Sequence, residues 1–258
     1  TVAMTGDGVN DVPALKEADC SIAIQSGSDA ARSVSQLVLM NSEFSTLPLA
    51  VAEGRRCINN IERSAALFLV KTILSFLLAA VFLFLHCPYP FKPIQLTLIS
   101  SIMIGIPSFL LALEPNFNIV RGHFIANVIK KAAPGGVSAA VGICLLEAAG
   151  AIFGFTPEHI SVMAVFLTAA VCFETLIIVC IPFDLKRALM CGALAAILVG
   201  AVLILPGLFY IIPLLPTECA ALGVVAALAL ILQPVLSLII KSVIKRKENI
   251  ARSSHKAG

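Results

Sequence analysis

Thr5-Gly6-Asp7-Gly8-Val9-Asn10-Asp11 decides how this chain is read. Two carboxylates, one amide and two glycines fall within seven positions, directly after the apolar run Val2-Ala3-Met4. A short strand ending in a Gly-rich turn with acids at its tip suits a Mg²⁺ and phosphate site. Gly6 and Gly8 let the backbone approach a phosphate closely and reach φ values that other residues avoid. Asp7 and Asp11 offer the hard oxygens that Mg²⁺ prefers, with water and substrate phosphate completing its shell. The plainer alternative is a surface turn, for which Asp, Asn and Gly are ordinary choices.

Outward from this stretch, residues 1–45 alternate short strands and helices. Val2–Met4 reads as a strand, and Val12–Ala18 as a short helix with Asp11 placed to cap it. Cys20–Ile24 alternates as a second strand. Ser26-Gly27-Ser28-Asp29 is a turn and N-cap leading into a helix over Ala30–Gln36, and Leu37–Met40 is a third, fully apolar strand. Such alternation with short connections favours a parallel sheet. The piece is too short for a whole α/β domain and reads as the C-terminal part of one.

The remainder is different in kind. Of 258 residues, 59% are hydrophobic and 13% charged, with a mean hydropathy of +1.00. A soluble domain carries about a quarter charged residues. The fold class is therefore a mainly α, multi-pass membrane helix bundle, preceded by the C-terminal part of an α/β Rossmann-like domain. Six stretches can span a bilayer core, which takes about 20 helical residues: 64–85, 94–113, 134–155, 160–182, 188–210 and 219–240. Gly142 and Gly150 in the third, and Gly192 and Gly200 in the fifth, would permit close helix contact.

Ahead of the first span, Glu53, Arg55, Arg56, Asn59, Asn60, Glu62 and Arg63 make an amphipathic, charged stretch without a strong breaker after Gly54. One helix can run from the water-soluble part into the bilayer, with Pro48 in its early turns. The domains are thus 1–45, the α/β piece; 46–63, a stalk helix; 64–241, six spans; and 242–258, a basic tail. The tail from Lys245 to Gly258 reads as loose and able to touch anionic lipid. Loop 86–93 is proline-rich and ties the first two spans into an antiparallel pair.

Arg121, Lys130 and Lys131 lie in one connection, Lys186 and Arg187 in another, and Lys241–Lys247 open the tail. The other loops hold only Lys92. That asymmetry puts the N-terminal domain and the C-terminus in the cytoplasm of a cell-membrane protein. The net charge of +3 excludes little by itself, and no nucleic-acid motif is present. Eight cysteines without a CxxC pair indicate neither a zinc site nor a disulfide framework. Cys144, Cys172, Cys180, Cys191 and Cys219 lie in apolar runs and read as small buried apolar groups.

Ionisable residues inside a span are costly to bury and mark candidate sites. Lys71 lies deep in the first span, with Thr72 and Ser75 within one turn. Ser100, Ser101 and Gly105-Ile106-Pro107 interrupt the second, where Pro107 would leave a carbonyl near Met103 free to face an ion. Glu147 and Glu174 are the carboxylates inside the third and fourth spans, and Gln233-Pro234 is a weaker break in the last. Lys71 can serve as an internal counter-charge, salt-bridge Glu174, or snorkel to the interface. Glu147 reads as a protonated carboxyl at a helix contact. His86, His123 and His159 sit at span ends or loops and complete no metal triad.

Thr5–Asp11, continued by Pro13-Ala14-Leu15 and Ala18-Asp19, resembles the last catalytic-domain signature of cation-transporting P-type ATPases, which belong to the haloacid-dehalogenase-like hydrolases. The resemblance extends over the chain: catalytic-domain tail, stalk from Ala52 to Leu85, and six spans. It implies that Asp7 binds Mg²⁺, that Asn10 helps hold an aspartyl-phosphate, and that Asp11 keeps the loop and metal site in order, with Gly6 and Gly8 at the phosphate. It also implies ATP as co-substrate, bound mainly by upstream domains. The partners implied are a transported inorganic cation, the lipid bilayer and a missing N-terminal part of the same pump; nucleic acid is not among them. The phosphorylated Asp with its Lys-Thr-Gly-Thr neighbours is absent, so these residues alone are expected to hydrolyse no ATP.

By register with calcium-pump relatives, Thr72 and Ser75 stand where the fifth span carries Asn and Glu ligands, and Ser100 and Ile104 where the sixth carries Asn and Asp. A two-calcium site of that kind is therefore not expected. Lys71, Thr72, Ser75, Ser100 and Glu174 remain the transported-ion candidates. Leu113-Glu114-Pro115-Asn116 resembles a loop signature of bacterial members, in which Glu114 reads as structural. Ca²⁺ is the first expectation for the cargo, with Mg²⁺ or K⁺ as alternatives. A competing expectation is a non-enzymatic membrane half that binds a partner or passes ions passively.

Overall fold

The computed structural model describes the backbone of residues 1–85 and 88–254, and the side chains of residues 1–84 and 88–243. The chain divides into two compact units: residues 1–57 with 116–119, and residues 58–115 with 120–258.

In the first unit, β1 (Ala3–Gly6), β2 (Cys20–Ile24) and β3 (Leu37–Leu39) form a parallel sheet in the order β1-β2-β3. Register pairs Ala3 with Cys20 and Ile22 with Leu37. The middle strand is bonded on both sides, and Ser21, Ile22 and Ala23 are buried, as befits a parallel strand covered on its faces. The crossovers are α1 (Val12–Glu17) and α2 (Asp29–Val34). They bury Leu15 and Ala31. Ser28 caps α2, its Oγ accepting from the Ala31 N–H at 3.2 Å. Asp11 precedes α1, but its carboxylate makes no cap bond to that helix. That expectation fails because the side chain turns back to the preceding loop.

A 3₁₀ turn over Phe44–Thr46 leads into α3 (Leu47–Leu85), with Pro48 at its second position. Its 39 residues make a helix of about 58 Å at 1.5 Å per residue. α3 supplies residues to both units.

The second unit holds the rest of the bundle. α4 (Pro93–Ile99), a π-helical segment (Ser100–Gly105) and α5 (Ile106–Leu113) form one span. α6 (Phe124–Phe153), α7 (Pro157–Val179), α8 (Leu185–Ile204) and α9 (Pro216–Ser254) follow. With α3 there are six helices long and apolar enough to cross a membrane among the described residues. α6 begins at Phe124, ahead of the expected 134, because Lys131 and Asn127 find a partner in Glu62 and so lie within the helix. α9 runs past the expected 240 to Ser254, so the residues from Lys245 to Ser254 are helical rather than loose. Residues 255–258, and His86 and Cys87 of the proline-rich loop, lie outside the described residues.

The core lies among α3, α4, α6 and α7, with Leu74, Met103, Ile143 and Leu167 fully buried. Gly142 and Gly150 face Leu167 and Ile160 so closely that a Cβ would come within 2.7 and 2.5 Å. Gly192 and Gly200 have nothing within 4 Å of a Cβ. The expected close contact at those two fails because α8 turns other residues inward; it buries Cys191 and Leu194.

Candidate functional site

The signature loop sits at the C-terminal end of β1, where ligands collect in open parallel sheets. Its shape comes from Asp11. The Oδ2 atom accepts from the N–H groups of Gly8 at 2.9 Å and Asp7 at 3.0 Å. These donors, Gly8 first, hold the Asp11 carboxyl below the usual carboxylate range. Gly6 makes room for this: a Cβ there would lie 2.6 Å from the Asp11 Cβ. The loop after β2 braces the other side. The Ser28 N–H donates to the Asp7 carbonyl at 2.7 Å, and a Cβ on Gly27 would lie 2.8 Å from that same oxygen.

The backbone of Asp7 is thus fixed on both sides while its side chain stays exposed, as does that of Asn10. Among the described residues no three His, Cys, Asp or Glu side chains converge on one point. A Mg²⁺ ion is commonly held by one or two carboxylates with phosphate and water supplying the remaining ligands. The exposed Asp7 carboxylate on a rigid, glycine-lined loop fits that requirement. The sequence singles out Asp7 and Asp11 alike, but the structure separates them: one is presented outward, the other is spent on the loop.

In the membrane unit, Lys71 on α3 donates to the Ser100 Oγ at 2.5 Å, and Ser100 donates to the Leu96 carbonyl at 2.5 Å. Ser100 opens the π-helical segment, in which the Ile106 N–H bonds to Ser101 rather than to Ile102. Such segments occur often at functional sites. Pro107 is accommodated at the second position of α5, directly after this wide turn. Lys71 makes no ion pair with Glu174 among the described residues. The proposed bridge is replaced by the Ser100 contact, which α3 and the second span bring together. Glu174 instead has a buried Oε2 without a hydrogen-bond partner. Thr72 is exposed and donates to Phe68 of its own helix at 3.2 Å. Ser75 is half-buried one turn further along the same helix. Of the five ion candidates, the structure therefore joins Lys71 and Ser100 and turns Thr72 back to its own helix.

A second polar cluster escaped the sequence reading. Glu114 receives Arg63 Nη1 at 2.6 Å on Oε2, and Arg187 Nε at 2.8 Å with Nη2 at 2.7 Å on Oε1. Asn60 donates to the carbonyls of Ala112 and Glu114 at 3.0 and 2.8 Å. Glu62 takes Lys131 at 2.6 Å and Asn127 at 3.1 Å. Glu114 is thus the structural residue expected, and its partners come from α3 and α8. Near the N-terminus of α9, Glu218 is 1% exposed. Its Oε1 lies 2.5 Å from His159 Nδ1 and its Oε2 accepts from Leu215 N–H at 2.8 Å. Glu218 was legible only as a loop residue, since no run of sequence shows that His159 lies beside it.

No protein-family model matches the chain. Curated proteins do. The chain is 38% identical, over 198 residues and 74% of its length, to the probable cation-transporting ATPase exp7 of Streptococcus pneumoniae, of which it covers 25%. It is 49% identical, over 53% of its length, to the calcium-transporting ATPase CtpE of Mycobacterium bovis, of which it covers 18%. It is 36% identical, over 44% of its length, to a calcium-transporting ATPase of Bacillus subtilis, covering 13% of that protein. The relatives named are cation- and calcium-transporting ATPases, and the chain spans a quarter or less of the length of each.

Proposed function

We propose that the chain is the C-terminal part of an ATP-driven pump that moves an inorganic cation, Ca²⁺ in the first instance, through an aspartyl-phosphate cycle. The observation that carries this reading is the loop after β1, where Asp11 braces the backbone and Asp7 is left to face outward. Mg²⁺ held there would supply charge neutralisation to a transferring phosphoryl group. Asp7 is its carboxylate ligand, Asn10 steadies the phosphoryl oxygens, and Gly6 and Gly8 give the backbone its close approach. Asp11 keeps the loop and the metal site in order through Oδ2. ATP is bound mainly by other parts of the protein.

The transported ion passes near Lys71, Ser100 and Glu174, with Ser75 beside them in sequence. Support for Ca²⁺ is that the Mycobacterium bovis and Bacillus subtilis relatives are named calcium-transporting ATPases, together with the orphaned Glu174 oxygen, a hard donor inside the bundle. Lys71 is an internal cation that fills the site when the cargo is absent. In this reading the sheet-bearing unit and the C-terminus face the cytoplasm, which the basic residues of the connections support.

The test is Asp7→Asn in the full-length protein. Losing one metal ligand in phosphoryl transfer removes several kcal/mol of stabilisation, so Ca²⁺-dependent ATP hydrolysis should fall about 100-fold or more. Hydrolysis within a factor of two of the parent, at limiting Mg²⁺, overturns the assignment.

A further inference from the structure

A cavity of about 540 Å³ opens between α5 and α8. Its walls are of two kinds. Leu110 and Leu113, from the last turns of α5, are apolar and exposed, whereas Glu114, Asp184, Lys186 and Arg187 bring charge to the other side. The spans fix where this change of polarity falls. One candidate membrane span ends at Leu113 and another begins at Leu185, so the cavity lies where hydrocarbon gives way to headgroups. The neighbouring chain repeats the pattern: Ile181, Phe183 and Leu185 are exposed apolar side chains interleaved with the exposed Asp184 and Lys186.

The charges at the polar end do not cancel. Arg63 and Arg187 share the single carboxylate of Glu114, which leaves that cluster with one cation in excess. Asp184 is a second carboxylate, and its Oδ1 caps α8 by accepting from the Arg187 N–H at 2.9 Å. Lys186 makes no ion pair among the described residues. Three cations therefore stand against two carboxylates, and one negative charge makes this end neutral.

We infer that the cavity is a binding site for one anionic phospholipid of the phosphatidylglycerol class. The phosphodiester sits at Lys186, the ammonium that has no carboxylate of its own, in a charge-assisted contact. The headgroup hydroxyls donate to Oδ2 of Asp184, the oxygen the helix cap leaves over. An acyl chain runs along Leu110 and Leu113 into the membrane. Basic pockets between spanning helices hold anionic headgroups in this way. Simpler occupants match only half of the wall. A free phosphate makes no use of the exposed leucines, and a choline head leaves the excess cation unmatched and offers Asp184 no hydrogen-bond donor. The bound lipid bridges α5 to α8, a helix whose only buried residues are Cys191 and Leu194, and so fastens a helix that packs little against the bundle.

The experiment places the full-length protein in nanodiscs of equal parts phosphatidylcholine and phosphatidylglycerol with the same chains, and follows the lipids that stay bound in native mass spectrometry as collision energy rises. One phosphatidylglycerol should outlast every phosphatidylcholine. Lys186→Gln removes a hydrogen bond to a charged group and should weaken phosphatidylglycerol binding about tenfold. Lys241→Gln, the same change at an exposed position on α9, should leave it unchanged. Phosphatidylglycerol nanodiscs should also raise the unfolding midpoint of the parent above that in phosphatidylcholine alone, and inorganic phosphate added to phosphatidylcholine nanodiscs should not. Equal retention of the two lipids by the parent overturns the inference. So does equal phosphatidylglycerol binding by the parent and Lys186→Gln, an equal loss in Lys241→Gln, or a full rise in midpoint from inorganic phosphate. The parent's choice between the two lipids decides the matter even where a variant folds poorly.

Discussion

Glu114→Ala should unseat the membrane bundle at one end. The Glu114 side chain is 21% exposed, and its partners Arg63 and Arg187 are 7% and 11% exposed. Truncation leaves two largely buried guanidiniums without their anion. Removing one partner of a buried pair costs about 3–5 kcal/mol, most of it the penalty of the stranded charge. Asn60 continues to hold the carbonyls of residues 112 and 114, so the backbone stays in place and the loss is electrostatic. That corresponds to a fall on the order of 10 °C in the unfolding midpoint for a domain of this size. The chain contains no Trp, so the assay is a thiol-reactive fluorogenic dye that reports exposure of the buried Cys172, Cys180 and Cys191 on heating. Glu114→Gln keeps an acceptor oxygen and should lose less. Arg63→Met combined with Glu114→Gln should cost less than the two changes added together. A midpoint for Glu114→Ala within about 2 °C of the parent refutes the reasoning.

Lys71→Met keeps the length of the side chain and removes its charge and its bond to Ser100; the ion dependence of ATP hydrolysis should shift, and unchanged cation affinity with unchanged turnover takes Lys71 out of the mechanism. Gly6→Ala puts a methyl 2.6 Å from the Asp11 Cβ, so it should abolish hydrolysis in the full-length protein while the membrane unit keeps its melting behaviour; full activity would show that the loop yields. Acid should loosen the same loop. The folded Asp11 carboxyl titrates below its ordinary value of 3.8, so its contribution is complete above that value and is lost as pH falls through the lowered one. Amide hydrogen exchange at Gly8 should therefore stay protected at pH 4 and become open only below about 3.8, whereas in Asp11→Ala it should be open throughout; identical protection in both would sink the bracing role.

How much was legible follows from which contacts are local. The β1 loop was readable because strand, glycines and acids follow one another without interruption from Ala3 to Asp11, and the sheet because short alternating segments leave few other arrangements. The spans were readable because apolar length is a property of a segment. What could not be read was any choice among partners distant in the chain. Lys71 could be matched in sequence with Glu174, and only the packing of the second span shows that Ser100 takes it. Arg63 and Arg187 look like ordinary basic residues near span ends until Glu114 is seen between them. Asp11 has the position of a helix cap, and only the three-dimensional path of the loop shows that two nearer N–H groups claim its oxygen. Gly192 and Gly200 have the composition of a helix seam, but composition does not say which face turns inward.

The wide turn in the second span solves a problem of counting. On either side of that turn α3 is tied to the span, by Ser64 Oγ to the Ser108 carbonyl at 3.2 Å and by Lys71 to Ser100. Seven steps separate the two attachment points on α3, and eight separate them on its antiparallel neighbour. Regular α-helices on both sides would drift out of phase by one residue, about 100° of rotation at 3.6 residues per turn. The π-helical segment from Ser100 to Gly105 lies between the attachments and absorbs the odd residue. The lysine's grip and the proline-bearing half of the span are therefore geometrically linked: winding that turn back to α would let only one of the two fastenings survive.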